Sequence, residues 1–322
     1  MSVTTPVRAT PVSATPVSVI ICTYNRAELL RLALESLVPG CAAVPGSEVL
    51  VVDNRSTDAT PAVVDEFIGR LPVRRVFEAE LGLCHARNTG WRAATGDVVA
   101  YFDDDALAPP GWLTAIVNAF EAFPDTGVVG GPVAPLWHAP RPAWLSDDAA
   151  RALTVLDWGA EAHEIPDVGQ EWLAGTNMAL PRRVLVETGG FHPALDRVGN
   201  NLLSSGDVHL QRRVLELGLR IRYEPAMEIQ HLVPASRLTK DWFRRRYYWQ
   251  GISDSVMRMV ENPPSKVRRA RWALSAVAGL MRHPRRLQSA LATPDKPEDF
   301  TATCHALITV GQVAGLLGAA RR

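Results

Sequence analysis

"DVVAYFDDDALAPPGW", residues 97–112, decides how the chain is read. An apolar run with β-branched and aromatic residues breaks into three consecutive carboxylates, and two prolines open a helical pattern behind them. Adjacent like charges raise the cost of ionising all three unless solvent or a cation compensates. Solvent compensates in any polar turn. A hard divalent cation does so more specifically, because Mg2+ and Mn2+ prefer carboxylate oxygens and keep positions open for water or phosphate. The triplet alone leaves both open, and its surroundings must decide.

Upstream, "VSVIICTYN" (17–25) and "SEVLVVDN" (47–54) are two more apolar runs ending in polar residues. Each is followed by a segment of helical period, "RAELLRLALESLV" (26–38) and "RSTDATPAVVDEFIGRL" (55–71). "VRRVFEA" (73–79) predicts a short strand and "LCHARNTGWRAAT" (83–95) a helix. This alternation predicts a mostly parallel, Rossmann-like α/β sheet with helices on both faces. Ligands bind such sheets at the carboxyl ends of strands. "TYN", "DNRSTD" and "DDD" each follow a predicted strand, so all three are expected along one edge.

Beyond residue 130 the pattern weakens. "GGPVAPLWHAPRPAWLSDD" (130–148) reads as a long loop crossing the site. "EWLAGTNMALPRRVLVETGGF" (171–191) predicts a short strand and a helix closed by glycine, and "SGDVHLQRRVLELGL" (205–219) an amphipathic helix. "RIRYEPAMEIQHL" (220–232) supplies two short strands, and from "TKDWFRRRYYWQG" (239–251) onward the chain is helical, basic and aromatic.

Composition narrows the function classes. The 322 residues hold 34 Lys plus Arg against 34 Asp plus Glu, so no overall field recruits nucleic acid. The aromatic and basic residues of 239–251 also fall at i, i+4 spacing, Trp242 with Arg246 and Phe243 with Tyr247, as in an ordinary amphipathic helix. The four cysteines show no CxxC or metal-ligand spacing, which fits a reducing, cytoplasmic setting. Residues 1–16, rich in Thr, Ser and Pro, read as a disordered tail. The segment from Lys266 to Arg286 and "HALITVGQVAGLLGAA" (305–320) are expected either to pack as helices or to hold the protein at the inner face of a membrane.

Six motifs in order resemble the family 2 glycosyltransferases: "VSVIICTYNR", "VLVVDNRSTD", "GLCHARNTGWRAATGDVVAYFDDDA", "GTNMALPRRVLVETGGF", "SSGDVHLQRRVLELGLRIRYEP" and "QHLVPASR". The resemblance spans about residues 17–255 and implies the glycosyltransferase-A fold with a C-terminal helical extension. It implies a nucleotide-sugar-binding half (17–134), an acceptor-binding half (135–238) and the extension (239–322). The activity implied is metal-dependent, inverting transfer of a sugar from a nucleoside-diphosphate donor to a hydroxyl acceptor, with Mg2+ or Mn2+ as cofactor. By the same resemblance Cys22, Thr23 and Tyr24 frame the base, and Asp53 and Asn54 bond base and ribose, although many members carry Asp where Asn54 stands. Arg87 is implied near the diphosphate, Asp103, Asp105 and His231 around the metal, and Asp104 on the nucleotide-sugar side. Asp207 is the implied base, in a motif where Gly206 and His209 replace acids common in the family. Trp137, Trp144, Trp158 and Trp172 fall in the segment expected to line the acceptor side. Two rivals remain: a catalytically degenerate sugar-nucleotide binder, suggested by Gly206 and His209, and a nucleotidyltransferase. The latter is disfavoured because "CTYNRAELL" lacks a glycine-rich basic phosphate loop.

Overall fold

The computed structural model describes residues 16–319 apart from 198, 200, 283–287 and 289. All but the last residue of the expected tail, and the end of the Lys266 to Arg286 segment, lie outside the described residues. The chain runs β1 (Val17–Thr23), α1 (Ala27–Ala43), β2 (Glu48–Asp53), α2 (Thr60–Glu66), β3 (Val73–Phe77), α3 (Leu83–Ala93), β4 (Val98–Asp103), β5 (Ala106–Leu107), α4 (Trp112–Ala122), β6 (Thr126–Gly130) and β7 (Val133–Trp137). It continues α5 (Asp147–Ala150), β8 (His163–Glu164), β9 (Asn177–Pro181), α6 (Arg182–Thr188), α7 (Gly206–Glu216), β10 (Arg220–Tyr223), β11 (Ile229–Val233), α8 (Lys240–Glu261), α9 (Lys266–Arg282) and α10 (Pro297–Leu317).

The main sheet has the order β3-β2-β1-β4-β9-β6-β10-β8. β9 runs antiparallel to β4 and β6, β8 antiparallel to β10, and the other neighbours are parallel. Successive residues of one strand feed opposite cores. Val19 and Ile21 pack with Leu30 and Leu34 of α1 on one face, while Ile20 joins Val99, Tyr101 and Leu210 on the other. Burial on both faces explains why these strands read as continuous apolar runs rather than alternating ones.

A small second sheet, β5-β11-β7, lies outside the main one. It corrects the long loop expected over 130–148, because Val133–Trp137 is a strand. β7 lies at the edge of this sheet, paired with β11 along its length and bridged on its other side at Val133 by Leu156, so Pro135 faces a strand partner on one side alone and is tolerated. β6 and β8 also escape sequence reading, β6 because "TGVVG" is short and opens with Thr126 and Gly127.

α10 is long and apolar enough to cross a membrane by length and composition, yet one face of it packs along α8. Glycines on both helices explain that contact. A Cβ on Gly311 would sit 1.9 Å from the Tyr248 carbonyl oxygen, and one on Gly251 would sit 1.9 Å from that of Ile308. Ser255 Oγ then donates to the Gln312 carbonyl at 2.8 Å. Backbone-to-backbone packing of this kind admits no side chain. Gly311→Leu should therefore destabilise the chain by about 1–3 kcal/mol, the cost of an overpacked contact. Gly279→Ala, where nothing lies within 4 Å, should not. Urea unfolding of both variants checks this, and equal midpoints would refute the packing account.

Candidate active site

The parallel register brings the polar strand ends into line. Thr23 stands opposite Asp53 and Cys22 opposite Asp103, at the carboxyl ends of β1, β2 and β4. The three acidic residues after β4 then diverge. Asp103 is the most open, its side chain 34% exposed, and Arg87 Nη2 of α3 lies 3.5 Å from its Oδ1. Its amide donates to Thr176 Oγ1 at 3.3 Å. Asp104 is buried and accepts from Thr23 Oγ1 at 2.7 Å and Arg26 Nη1 at 2.9 Å. Asp105, also buried, accepts from the same Arg26 nitrogen at 3.0 Å and lies 3.1 Å from His231 Nε2.

Solvent and a metal are therefore not the sole compensation for the triplet, since Arg26 and Arg87 supply positive charge and His231 a hydrogen-bonding nitrogen. Burial pushes the Asp104 carboxyl up to about 6, against the pull of Arg26. Burial also opposes ionisation of Asp105, but the hydrogen bond and charge of His231, with Arg26 and Arg237, hold it well below the usual carboxylate range. His231 arrives through the small sheet. It pairs with Ala106 in the β11–β5 register, and the Leu232 amide donates to the Asp105 carbonyl at 2.9 Å. Ligand atoms of Asp103, Asp105 and His231 all lie within 4.8 Å of one another. Two carboxylates and an imidazole form a donor set suited to Mn2+ and tolerable to Mg2+.

Asp207 approaches from the start of α7. Its Oδ2 accepts from the Gly175 amide at 3.1 Å and its Oδ1 from the Val208 amide at 2.9 Å. Gly175 separates it from Arg87: a Cβ there would lie 2.6 Å from Arg87 Nη1. The guanidinium of Arg87 is also seated on aromatic rings, 5.1 Å from Phe191 and 5.9 Å from Tyr101. Beside Asp207 opens a cavity of about 540 Å³ whose wall includes Trp172, Arg197, Arg246 and Ile308. Trp172 is joined edge-on to Trp158, with centroids 5.2 Å apart. Trp144 is not in that wall; it packs between Phe243 and Phe300. Trp137 packs in the same apolar cluster.

On the other flank, Tyr24 is 51% exposed while Asp53 is buried. Asp53 accepts from the Ser56 amide at 2.7 Å and Arg75 Nη1 at 2.9 Å. Cys22 is half-buried beside them, and burial pushes its thiol far up. Residues missed from sequence are Arg26, Thr176, Arg197 and Arg246. For Arg26 a signal existed, the first cation after "TYN"; the others meet the site only through tertiary contacts.

Asn54 has a geometric reason to be an amide. Its Nδ2 donates to the carbonyls of Glu78 at 3.2 Å and Glu80 at 2.7 Å, and its Oδ1 accepts from the Gly82 amide at 2.8 Å. A carboxylate would accept from Gly82 but would face two carbonyls. Asn54→Asp should cost about 1–3 kcal/mol near neutral pH, the range for leaving buried polar groups unpaired. The carbonyls would raise the folded-state pKa of the new acid, so its protonated form is favoured and the deficit should shrink as pH falls. Urea unfolding at mildly acid and mildly alkaline pH measures both effects. Wild-type stability at alkaline pH would refute this role.

Comparison with known proteins agrees with the geometry. Residues 18–170 match the family described as "Glycosyl transferase family 2", and residues 98–310 match "Glycosyl transferase family group 2". The glucosyl-dolichyl phosphate glucuronosyltransferase of Haloferax volcanii is 29% identical over 74% of this chain and 76% of its own length. The validoxylamine A glucosyltransferase of Streptomyces hygroscopicus subsp. jinggangensis is 29% identical over 54% of this chain, which spans only 46% of that relative. Among solved structures, mannosyltransferase PcManGT from Pyrobaculum calidifontis, in complex with GDP-Man and Mn2+, superposes with a TM-score of 0.59 at 23% identity. That superposition covers 97% of this chain and 90% of the other, and it identifies the fold as that of a glycosyltransferase. With a family match running through most of the site and the helices behind it, this chain belongs to the family 2 glycosyltransferases and is a glycosyltransferase enzyme.

Proposed function

We propose that the chain is a metal-dependent, inverting transferase that moves a sugar from a nucleoside-diphosphate donor to a hydroxyl acceptor. The observation that carries this reading is the convergence of Asp103, Asp105 and His231 within 4.8 Å at the sheet edge, with Asp207 across Gly175 from Arg87. The described neighbour holds GDP-Man and Mn2+, which supports a nucleotide sugar and a divalent ion for this fold. When bound, such an ion would offset the negative charge that develops on the departing diphosphate. Asp103, Asp105 and His231 would hold it, and Arg87 adds a fixed positive charge beside them.

On this reading Cys22, Thr23 and Tyr24 border the base, and Asp53 and Asn54 shape the ribose side. Asp104 acts indirectly, fixing Thr23 and Arg26 rather than touching the ion. Residues 17–134 then form the donor half and 135–238 the acceptor half, with Trp172 at the acceptor wall. Asp207 takes the proton of the acceptor hydroxyl as it attacks the anomeric carbon from the face opposite the diphosphate. Gly206 and His209, which favour a degenerate binder on sequence, are buried on α7 and do not line the cavity, so they leave Asp207 in place.

Purified protein incubated with nucleotide sugars and Mn2+ tests the reading. Asp105→Asn or EDTA should abolish transfer and weaken metal-dependent donor binding. Asp207→Asn should keep donor affinity yet lower transfer by about 100-fold, the scale of general-base loss. Full activity in EDTA, or a product retaining the donor's anomeric configuration, would overturn the mechanism.

A membrane surface is the second proposed partner. Val267, Leu274, Val277 and Met281 form an exposed apolar stripe on α9, beside exposed Arg268, Arg271 and Arg282. An apolar stripe flanked by cations suits anionic lipid. The protein should pellet with anionic vesicles at low salt and be released at high salt; failure to pellet at low salt refutes it.

A further inference from the structure

The cavity beside Asp207 contains cations that the transfer chemistry does not use. Four arginines line it, Arg151, Arg197, Arg212 and Arg246, against the acids Asp207 and Asp254. Two of the four have carboxylate partners behind the wall: Arg212 meets Glu261 at 3.0 Å, and Arg151 lies 3.6 Å from Asp148. Arg246 differs, since its Nη1 is buried with no hydrogen-bond partner among the described residues. Arg197 is steadied by donating from Nε to the Leu203 carbonyl at 3.3 Å.

The acids in the wall do not satisfy these two. Asp207 already accepts from the Gly175 and Val208 amides. Asp254 accepts from Gln250 at 2.8 Å and Gln312 at 3.4 Å. Burial, then the charges of Arg246 and Arg237, push the Arg197 pKa down to about 10. Burial lowers that of Arg246 as well, although Tyr247 and Asp207 pull the other way. Two guanidiniums that line one cavity and repel each other, one with a buried N–H unmet, are stabilised by an oxyanion, whose geometry the planar fork of Arg fits. Both line the cavity that Asp207 also lines, and neither belongs to the cluster of Asp103, Asp105 and His231 assigned to the donor side, although the charge of Asp103 reaches Arg197.

We propose that Arg197 and Arg246 form an oxyanion subsite and that the acceptor is therefore anionic, a hydroxyl compound carrying a phosphate or carboxylate group. The assignment to the acceptor rests on the proposed transferase reading, with Asp207 as base; the anion site itself does not. An oxyanion held between the two guanidiniums anchors the acceptor in the cavity whose wall carries Asp207. The apolar wall of Val208, Met257 and Ile308 takes the uncharged remainder.

Calorimetric titration of the full chain with inorganic phosphate, and separately with acetate, tests this. Ionic strength is held constant with chloride, and the donor site is filled by saturating UDP or GDP with Mg2+. At least one of the two anions should bind. Arg197→Met and Arg246→Met should each weaken that binding by about tenfold or more, as expected for loss of a charge-assisted pair, with nucleoside-diphosphate affinity unchanged. Arg246→Lys, which keeps charge and bulk, guards against misfolding and should weaken it by less. Tighter phosphate points to a phosphate ester and tighter acetate to a carboxylate. No anion binding by the wild type, or wild-type anion affinity in the folded Arg246→Lys and Arg246→Met proteins, overturns the subsite. Joint loss of anion and nucleoside-diphosphate affinity would place these arginines in the donor site and overturn it too. Retained anion binding without any nucleoside-diphosphate binding would instead sink the transferase reading and leave the anion site standing.

Discussion

Arg26 donates from a single nitrogen to Asp104 at 2.9 Å and Asp105 at 3.0 Å, and the geometry of the site follows from that fork. Three adjacent carboxylates would repel one another if all faced one way. They instead turn to different partners: Asp103 toward Arg87, Asp104 toward Thr23, Asp105 toward His231. Arg26 also precedes the first residue of α1, whose Ala27 amide is met not by Arg26 but by Asp58 of the β2 loop at 3.0 Å. The loops after β1, β2 and β4 are therefore joined through charge as well as through strand register. A shift of the β1 loop, which carries Tyr24, cannot occur without disturbing the acidic cluster.

A second constraint hangs the small sheet on the large one. Asn177, at the start of β9 and fully buried, donates to the carbonyls of Pro132 at 2.9 Å and Met227 at 2.7 Å, and accepts from Trp112 Nε1 at 2.9 Å. Pro132 precedes β7 and Met227 precedes β11, so one amide side chain positions both strands that carry His231 to Asp105. A buried polar group this fully paired specifies one arrangement, because any alternative leaves its donors unmet.

Legibility followed the range of the interactions. β1, β2 and β4 could be read because both faces of each strand are buried and the polar residue that ends each run sits at the site, whereas β3 is half-exposed and was legible only from its place in the alternation. β7 could not, since a short edge strand containing Pro135 carries no periodic signal. Trp144 and Trp172 look alike in sequence. They separate only because Phe243 and Phe300, from helices much later in the chain, enclose the first. Asn54 was legible as a site position but not as an amide requirement, which depends on the carbonyls of Glu78 and Glu80 curling back over it. Arg246 was read as one cation of an amphipathic helix; its unmet N–H appears only once α8 and the Asp207 cavity are brought together.

Gly175 links the two proposed half-sites more closely than their separation in sequence suggests. Its amide fixes Asp207, and its missing side chain is the space into which Arg87 reaches. Any Cβ there must displace the guanidinium, the peptide or both, because a contact of 2.6 Å is not sustainable. Displacing the guanidinium would alter the charge beside Asp103, and displacing the peptide would release Oδ2 of Asp207. On the proposed mechanism, leaving-group stabilisation and proton removal thus depend on one glycine peptide. Placement of the base is then set by the same backbone that positions the donor-side cation, so the attacking hydroxyl and the departing diphosphate are held in a fixed relation by the fold itself.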